Sequence, residues 1–465
     1  MPRMRNRPTV AAGAISLALV ALTPTAARAG VTTSCSFDSG TATVTATVAS
    51  GASAALERSG TAITFAGVPC GGADVTNTDQ INISAPDTTT SETITISMAG
   101  GTFAPGKTAE GDGSNEIEIA VNRHTEDVLG FVGTSGPDSI HADATGADLI
   151  PGSPGENEVT YAIVTDLVTL DGGQGDDSLF LRAYQASVAG GQDDDDVIGQ
   201  ASFASTFAGD AGNDSVTIAD NTGIIVQATS TNGDYTVNRS GATDTLTGVE
   251  TVAGDSGPDF FLGSAGSDHF VGGTGNDRFV ALGGDDIVEG GDGVDRFSMG
   301  DATGSLDVNL TDLTSVGDGG DSFAGVEALE GSPHADRFTG DPRTSGLIFI
   351  DGYGGRDVLD LRSATHRQFV WTTPDEVNSA PSWVRLMVRN VRRIQGSAHG
   401  DRIEVGDVNG AELRARFSGQ GGDDVLVGGI HHDVLHGGAG DDTLNGKARR
   451  DVCYGGDGNN TYISC

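Results

Sequence analysis

Apolar and acidic residues recur with a period of nine in two stretches of the chain. Five consecutive nine-residue units run from Gly254 to Ser298, and five more run from Gly419 to Ile463. The sixth residue of these units is Asp259, Asp268, Asp277, Asp286, Asp295, Asp424, Asp433, Asp442, Asp451 or Asn460. The eighth is Phe261, Phe270, Phe279, Val288, Phe297, Leu426, Leu435, Leu444, Cys453 or Tyr462. The pattern places one acid and one inward-facing side chain in nearly every unit.

Each unit divides into a turn and a short strand. Glycines at positions one, two and four permit the positive φ angles of a tight turn. Positions seven to nine are extended, so position eight faces away from its two neighbours. Two units complete one coil, and strands of successive coils stack about 4.8 Å apart. The sequence therefore predicts an all-β fold, a parallel β-roll or β-solenoid built from glycine-aspartate-rich nonapeptides.

The same stacking brings the sixth-position carboxylates of units n and n+2 close together. Two bare carboxylates about 5 Å apart repel by roughly 1 kcal/mol in water and more in a less polar medium. Calcium prefers a shell of about 6–8 oxygen ligands, which carboxylates and turn carbonyls can supply. The spacing therefore predicts Ca²⁺ as a bound cofactor. A β-solenoid whose Asp/Gly turns bind no metal is the alternative.

The unit matches the nonapeptide G-G-x-G-x-D-x-U-x. On this motif the chain resembles the secreted hemolysin-type (RTX) calcium-binding repeat proteins. The resemblance covers about 170–300 and 325–465 well, and the amino-terminal third poorly. It implies a β-roll that folds on binding calcium and a structural, surface or adhesion role outside the cell.

Degenerate units lie upstream of the first regular stretch. They place Asp177, Asp195 and Asp214 on one side of the coil, which predicts a one-sided ladder of calcium sites. The best sites are expected at Asp259/Asp277, Asp277/Asp295 and Asp424/Asp442, with Asp268/Asp286 next. The Asp433/Asp451 site is expected to be weak or empty, because His431, His432, Arg449 and Arg450 crowd its turns.

A second recurring element precedes several units. It reads GVETVAG at 248–254, GVEALEG at 325–331 and, less closely, NVRRIQG at 390–396. Its alternating apolar residues are expected to form a strand that leads into the next turn.

Composition and alternation suggest six segments. They are a signal peptide over 1–29, an amino-terminal β domain over 30–125, a degenerate solenoid over 126–253, a first calcium roll over 254–300, a solenoid region with inserted loops over 301–415 and a second calcium roll over 416–465. The alternation within 30–125 fits either a β-sandwich or the start of a solenoid.

The formal net charge of −39 disfavours nucleic acid and anionic membranes as partners and favours divalent cations. No apolar segment after the leader is long enough to span a bilayer. The leader and four cysteines together predict a secreted, extracellular protein with two disulfides. Three pairings are possible, and proximity favours Cys35–Cys70 and Cys453–Cys465.

Catalytic motifs are scarce. The chain contains neither H-E-x-x-H nor G-x-S-x-G, the motifs of zinc proteases and of α/β-hydrolases. We therefore predict an exported calcium-binding repeat protein with no assigned catalytic residue and with an extracellular polysaccharide or cell surface as possible partner. The alternative is a β-helix enzyme of the lyase or epimerase type acting on polysaccharide. That alternative requires a groove within 126–253 lined by clustered Asp, Arg and His side chains.

Overall fold

The structure is a computed structural model. It describes residues 32–86, 89–104, 106–108, 117–124, 126–143, 146–149, 159–161, 167–182, 185–200, 204–220, 222–239, 241–342, 346, 348–372, 385–406 and 414–465. The leader predicted over 1–29 lies outside these residues. Over the described part of the chain there are 44 strands and no helix, hence no helix that could cross a membrane.

The strands form two long sheets, here called sheet A and sheet B. Sheet A contains β1 (Ser34–Asp38), β2 (Thr43–Thr47), β6 (Gln80–Ser84), β8 (Glu118–Asn122), β10 (Ser139–Ala142), β11 (Gly146–Asp148), β12 (Val159–Tyr161), β14 (Ser178–Leu181), β16 (Asp196–Gly199), β18 (Ser215–Ile218), β22 (Thr251–Ala253), β24 (His269–Gly275), β26 (Ile287–Gly293), β28 (Asp307–Asn309), β29 (Thr314–Val316), β30 (Ser322–Ala324), β32 (Arg337–Thr339), β34 (Asp357–Asp360), β37 (Val391–Gln395), β39 (Arg416–Gly421), β41 (Val434–Ala439) and β43 (Val452–Asp457).

Sheet B contains β3 (Ser53–Ser59), β4 (Ala62–Phe65), β5 (Val68–Asp74), β7 (Thr93–Ser97), β9 (Val128–Val132), β13 (Leu167–Gln174), β15 (Gln185–Gln192), β17 (Thr206–Ala211), β19 (Ile225–Ala228), β20 (Tyr235–Arg239), β21 (Ala242–Thr247), β23 (Phe260–Leu262), β25 (Arg278–Val280), β27 (Arg296–Ser298), β31 (Ala328–Glu330), β33 (Phe349–Asp351), β35 (Phe369–Thr372), β36 (Leu386–Arg389), β38 (Arg402–Val405), β40 (Val425–Val427), β42 (Thr443–Asn445) and β44 (Thr461–Ile463).

The chain crosses between the two sheets within each coil, so strands of the same sheet stack in parallel. Sheet A follows the order β1-β2-β6-β8-β12-β11-β10-β14-β16-β18-β22-β24-β26-β30-β29-β28-β32-β34-β37-β39-β41-β43. Sheet B follows β5-β4-β3-β7-β9-β13-β15-β17-β21-β20-β19-β23-β25-β27-β31-β33-β36-β35-β38-β40-β42-β44. Both are open ladders. The prediction of an all-β parallel solenoid is confirmed.

In the regular stretches the register advances by eighteen residues per coil. Phe260 pairs with Arg278, and Arg278 pairs with Arg296. Antiparallel pairs are confined to the amino-terminal strands and to short excursions, such as β19-β20-β21 and β28-β29-β30. The excursions rejoin the same ladders, so the stacking of coils continues past them.

The amino-terminal strands belong to the same two ladders. β2, β6 and β8 stack in parallel in sheet A, and β3, β7, β9 and β13 do so in sheet B. The alternation within 30–125 fits either a β-sandwich or the start of a solenoid, and the observed pairing shows the start of the solenoid. The disulfide Cys35–Cys70 joins β1 to β5 at this end, and Cys453–Cys465 joins β43 to the last residue.

The core is the narrow space between the sheets. Position-eight side chains fill it, and Phe261, Phe279 and Phe297 are fully buried in sheet B. The rings of Phe261 and Phe279 stack with centroids 4.9 Å apart. Tyr462, in the last coil, is 53% exposed. Each coil thus buries its position-eight residue against the coils on either side.

Candidate metal-binding turns

Each coil has two turns, and the turns form two edges of the solenoid. The B-to-A edge contains the turns that lead from sheet B into sheet A, together with the β29–β30 turn that stacks on them. The A-to-B edge contains the turns that lead from sheet A into sheet B, together with the β20–β21 turn that stacks on them. One acid lies just before the strand, or within its first three residues, in most turns of each edge. On the B-to-A edge these are Asp138, Asp177, Asp195, Asp214, Glu250, Asp268, Asp286, Asp321, Asp336, Asp357, Asp433 and Asp451. On the A-to-B edge they are Glu92, Asp127, Asp244, Asp259, Asp277, Asp295, Glu327, Asp401, Asp424 and Asp442, with Asn460 last.

One carboxylate oxygen of most of these acids accepts a backbone N–H of the neighbouring coil. Oδ1 of Asp277 accepts the backbone N–H of Asp259 at 2.8 Å, and Oδ1 of Asp295 accepts that of Asp277 at 2.7 Å. The same bond joins Asp177 to Asp195 at 2.9 Å. It recurs in the pairs Asp195–Asp214, Asp268–Asp286, Asp336–Asp357, Asp401–Asp424, Asp424–Asp442 and Asp433–Asp451. Because the donor is a backbone group, the bond forms without metal.

The second carboxylate oxygen divides the turns into two kinds. In one kind Oδ2 is buried and has no hydrogen-bond partner among the described residues; we call these open turns. They contain Asp177, Asp195, Asp214, Asp259, Asp277, Asp286, Asp295, Asp357, Asp424, Asp442 and Asp451. A buried polar oxygen without a partner costs on the order of 1–3 kcal/mol, and more when it is charged. Each open turn therefore leaves one oxygen for a ligand.

The first glycine of an open turn shows what that oxygen faces. A Cβ added to Gly272 would lie 2.4 Å from Asp277 Oδ2 and 2.4 Å from the carbonyl oxygen of Gly290 in the next coil. At Gly437 the corresponding distances are 2.1 Å to Asp442 Oδ2 and 2.4 Å to the Gly455 carbonyl. A carboxylate and a carbonyl thus converge on one small space, and both are ligands that suit Ca²⁺.

The backbone at position two accounts for most of the open turns. In nine of the eleven open turns this residue has a positive φ, as at Gly273 (96°), Gly438 (125°) and Gln420 (80°). Asp255 and Leu282 are the exceptions. Glycine adopts this conformation without the steric penalty of a side chain.

In the other kind of turn, Oδ2 accepts the N–H of the position-two residue of its own turn; we call these closed turns. The donors Ser264, Ser332 and Ser397 lie 2.6 Å from Oδ2 of Asp268, Asp336 and Asp401, respectively. Thr134 and Gly429 close the turns of Asp138 and Asp433 at 2.5 Å and 2.6 Å. None of these five donors has a positive φ.

Ten of the thirteen predicted metal residues lie in open turns. Asp268 and Asp433 lie in closed turns instead. Asn460 donates from Nδ2 to the Gly456 carbonyl at 3.2 Å, and its Oδ1 accepts the N–H of Asp442 at 2.9 Å. The Asp433 turn was expected to be weak because of nearby positive charge, and the structure adds a second reason, since its Oδ2 already has a donor.

Sequence reasoning overlooked several members of the ladders. Glu250 and Glu327 take the position-six place: their Oε2 atoms accept the N–H groups of Asp214 at 2.8 Å and Asp295 at 2.9 Å. Asp357 is an open-turn aspartate that was not predicted. The signal was present in the GVE elements, because Val252 follows Glu250 by two residues, as position eight follows position six.

Burial raises the pKa of several open-turn aspartates. It raises the pKa of Asp424 to about 8 and that of Asp177, Asp259 and Asp286 to about 7, with neighbouring carboxylates adding to the shift. The backbone N–H bonds to Oδ1 oppose it. A bound cation would lower these pKa values again, because it favours the ionised carboxylate.

Each open turn provides one carboxylate from its position-six residue. Among the described residues no three His, Cys, Asp or Glu side chains converge as a metal-binding cluster. The remaining oxygens of a calcium shell would therefore come from backbone carbonyls of the stacked turns, such as those of Gly290 and Gly455.

A surface hollow of about 360 Å³ lies beside the β20 excursion. Its lining includes Tyr235, Glu250, Asp268, His269 and Asp285, and it contains no arginine as far as the described residues go. Its acids are engaged: Asp268 accepts the Tyr235 hydroxyl at 2.8 Å, and Asp285 accepts the N–H of Gly320 at 2.7 Å. The ladders account for these groups, and no catalytic step is derived from them.

Comparison with protein families supports the interpretation of the repeats. The model of the RTX calcium-binding nonapeptide repeat (4 copies) matches residues 168–183, 244–279, 271–301, 418–448 and 428–462. These segments contain eight of the eleven open turns, and they omit those of Asp195, Asp214 and Asp357. A search of curated proteins found no significant match.

Proposed function

Because the chain is an RTX-type calcium-binding repeat protein, we propose that calcium ions bind between successive open turns and complete the folding of the roll outside the cell. The observation that carries the proposal is the row of buried Oδ2 atoms in the open turns, eight of which share their space with a carbonyl of the next coil. Asp259, Asp277, Asp295, Asp424 and Asp442 would supply the carboxylates, and the turn carbonyls the other ligands. The ion would supply the positive charge that these buried oxygens need.

The charge of the chain makes calcium a folding ligand. At a net charge of −39 the calcium-free chain repels itself, which favours expanded states. Each site at ten times its dissociation constant adds roughly 1.4 kcal/mol to the free energy of unfolding. Extracellular-type sites are half-filled near about 10⁻⁴–10⁻³ M calcium, so the roll would fold mainly after export.

Export is supported by the cysteines. Both pairs form disulfides in the structure, and such bonds persist in oxidising compartments. We propose a structural, surface or adhesion role for the folded solenoid, with a polysaccharide or cell surface as the partner. Glycan-array binding with and without calcium would test that role.

Circular dichroism of the full chain tests the calcium proposal. Strand signal and melting temperature should rise as calcium is added and fall again with excess chelator. A water molecule can also donate to the buried oxygens, and in that case the protein would behave alike in calcium and in EDTA. Full strand content in EDTA at low ionic strength, with no bound ion, would refute calcium-dependent folding.

A further inference from the structure

Closed turns are interleaved with open ones along the same ladders. On the A-to-B edge the closed turn of Asp401 lies directly below the open turn of Asp424, whose Oδ1 accepts the N–H of Asp401 at 2.7 Å. On the B-to-A edge the closed turn of Asp336 precedes the open turn of Asp357. Whether a turn is open or closed is therefore set by residues within that turn and not by its place along the ladder.

Three closed turns share a serine at position two whose N–H and hydroxyl both contact the aspartate of the turn. In the Asp401 turn the Ser397 N–H bonds to Oδ2 at 2.6 Å, and the Ser397 hydroxyl lies 3.0 and 3.1 Å from the two carboxylate oxygens. The hydroxyl also accepts the N–H of His399 at 3.1 Å. Ser264 and Ser332 accept the corresponding N–H groups of Gly266 at 2.9 Å and His334 at 3.1 Å.

These hydrogen bonds satisfy the carboxylate oxygens that a bound ion would otherwise satisfy. A Cβ added to Gly396 would lie 2.4 Å from Asp401 Oδ2 and 2.8 Å from the carbonyl oxygen of Gly419. The pair of oxygens found in open turns is thus present here too. A backbone N–H and a hydroxyl already satisfy the carboxylate, and a cation would have to displace both.

The position-two conformation favours one arrangement over the other. In nine of the eleven open turns a positive φ turns the position-two N–H away from Oδ2, whereas in all five closed turns φ is not positive and the N–H reaches Oδ2. Serine disfavours positive φ and bonds locally to the backbone, whereas glycine adopts positive φ freely.

We propose that the hydrogen bond from the position-two N–H to Oδ2 decides whether a turn takes calcium, and that the serine-closed turns at Asp268, Asp336 and Asp401 stay metal-free in the calcium-loaded protein. The inference rests on the proposed calcium binding of the open turns. It revises the expectation that Asp268/Asp286 ranks just below the best sites. It also makes the Asp401 coil a metal-independent template on which the calcium-dependent coils of Asp424 and Asp442 stack.

The first test opens a closed turn in the full chain. Ser397→Gly should raise the calcium stoichiometry, measured by isothermal titration and by metal analysis after dialysis, by about one ion per chain. Ser397→Ala is the matched control: it removes the hydroxyl but keeps a Cβ that disfavours positive φ, so the stoichiometry should not change. Unchanged stoichiometry in Ser397→Gly would overturn the inference. A wild-type chain that binds no calcium would instead overturn the proposed function.

The reciprocal test closes an open turn without adding a Cβ. Gln420→Ser, at position two of the Asp424 turn, should lose about one calcium ion, whereas Gln420→Asn should keep it because Asn tolerates positive φ. Equal calcium contents in these two variants would contradict the proposal.

Hydrogen exchange of the wild-type chain in EDTA adds an independent readout. Amides of β38, which follows the closed Asp401 turn, should stay protected, while those of β40 and β42, which follow open turns, should exchange. Faster exchange in β38 than in β40 would also contradict the proposal.

Discussion

Asp277 bonds through one carboxylate oxygen to the backbone of Asp259 in the preceding coil, and its other carboxylate oxygen has no hydrogen-bond partner among the described residues. Its Oδ1 accepts the Asp259 N–H at 2.8 Å, and its buried Oδ2 has no hydrogen-bond partner within the described chain. The first contact is part of the fold and the second atom is free for a ligand. The two roles can therefore be separated by changing one atom.

Asp277→Asn makes that change. The amide oxygen can still accept the Asp259 N–H, but an amide nitrogen replaces the oxygen that would bind calcium. Asn460 shows this arrangement, since its amide nitrogen donates to the Gly456 carbonyl. Calcium stoichiometry should fall by about one, and the stabilisation by calcium at ten times the dissociation constant should fall by roughly 1.4 kcal/mol. Isothermal titration and urea unfolding with and without calcium measure both effects.

Asp292→Asn is the control for Asp277→Asn. It removes the same charge at an exposed position of the neighbouring turn, and calcium binding should stay close to wild type. Equal destabilisation of Asp277→Asn in calcium and in EDTA would show that the aspartate serves only the fold.

Gly272→Ala tests the space between the coils. The new Cβ would lie 2.4 Å from both Asp277 Oδ2 and the Gly290 carbonyl, so it would occupy the space that the two oxygens share. We expect loss of about one calcium ion and a lower melting temperature in calcium. Gly136→Ala is the control, because no heavy atom lies within 4 Å of the place its new methyl group would take and its φ is not positive.

A Gly272→Ala protein with full calcium content would mean that the ion lies elsewhere. Metal analysis after gel filtration distinguishes the outcomes, since it does not depend on the folding transition.

The regular units were predictable because a period of nine with an apolar eighth residue has few structural solutions. The eighteen-residue register and the buried Phe279 follow from that period. The amino-terminal coils were not decidable from sequence, because acids such as Glu92 stand there without the glycine pattern. Glu92 nevertheless accepts the N–H of Gly51 and continues the same ladder.

The division into open and closed turns could not be predicted from the position of the aspartate alone. Asp268 and Asp277 occupy the same place in adjacent units, yet Ser264 closes the first turn and Gly273 leaves the second open. The difference depends on one φ angle at position two. Gly429 is closed although it is a glycine, so residue type favours a conformation without imposing it.

Phe279→Ala tests the core between the sheets. Phe279 is fully buried and its ring stacks on that of Phe261, so its truncation should lower the free energy of unfolding by about 3–5 kcal/mol in saturating calcium. Ile287→Ala, at a 43% exposed position of the next strand, should cost far less. Urea unfolding measures both, and equal costs would contradict the assignment of position eight to the core.

The pKa shifts of the open turns predict how stability depends on pH. Burial raises the pKa of Asp424 to about 8 and that of Asp259 to about 7, while an unfolded aspartate titrates near about 3.9. Between about pH 4 and pH 8 the folded, calcium-free chain therefore holds protons that the unfolded chain has released. Its free energy of unfolding should fall as the pH rises through this window.

Calcium competes with these protons for the same oxygens, so its apparent affinity should increase with pH. The rise in melting temperature on adding calcium should accordingly be larger at pH 8 than at pH 5.5, and in EDTA the protein should melt at a higher temperature at pH 5.5 than at pH 8. Asp424→Asn removes the most strongly shifted group and should flatten the slope in EDTA. A chelated protein that is more stable at pH 8 than at pH 5.5 would show that the buried carboxylates are already satisfied as anions, without metal.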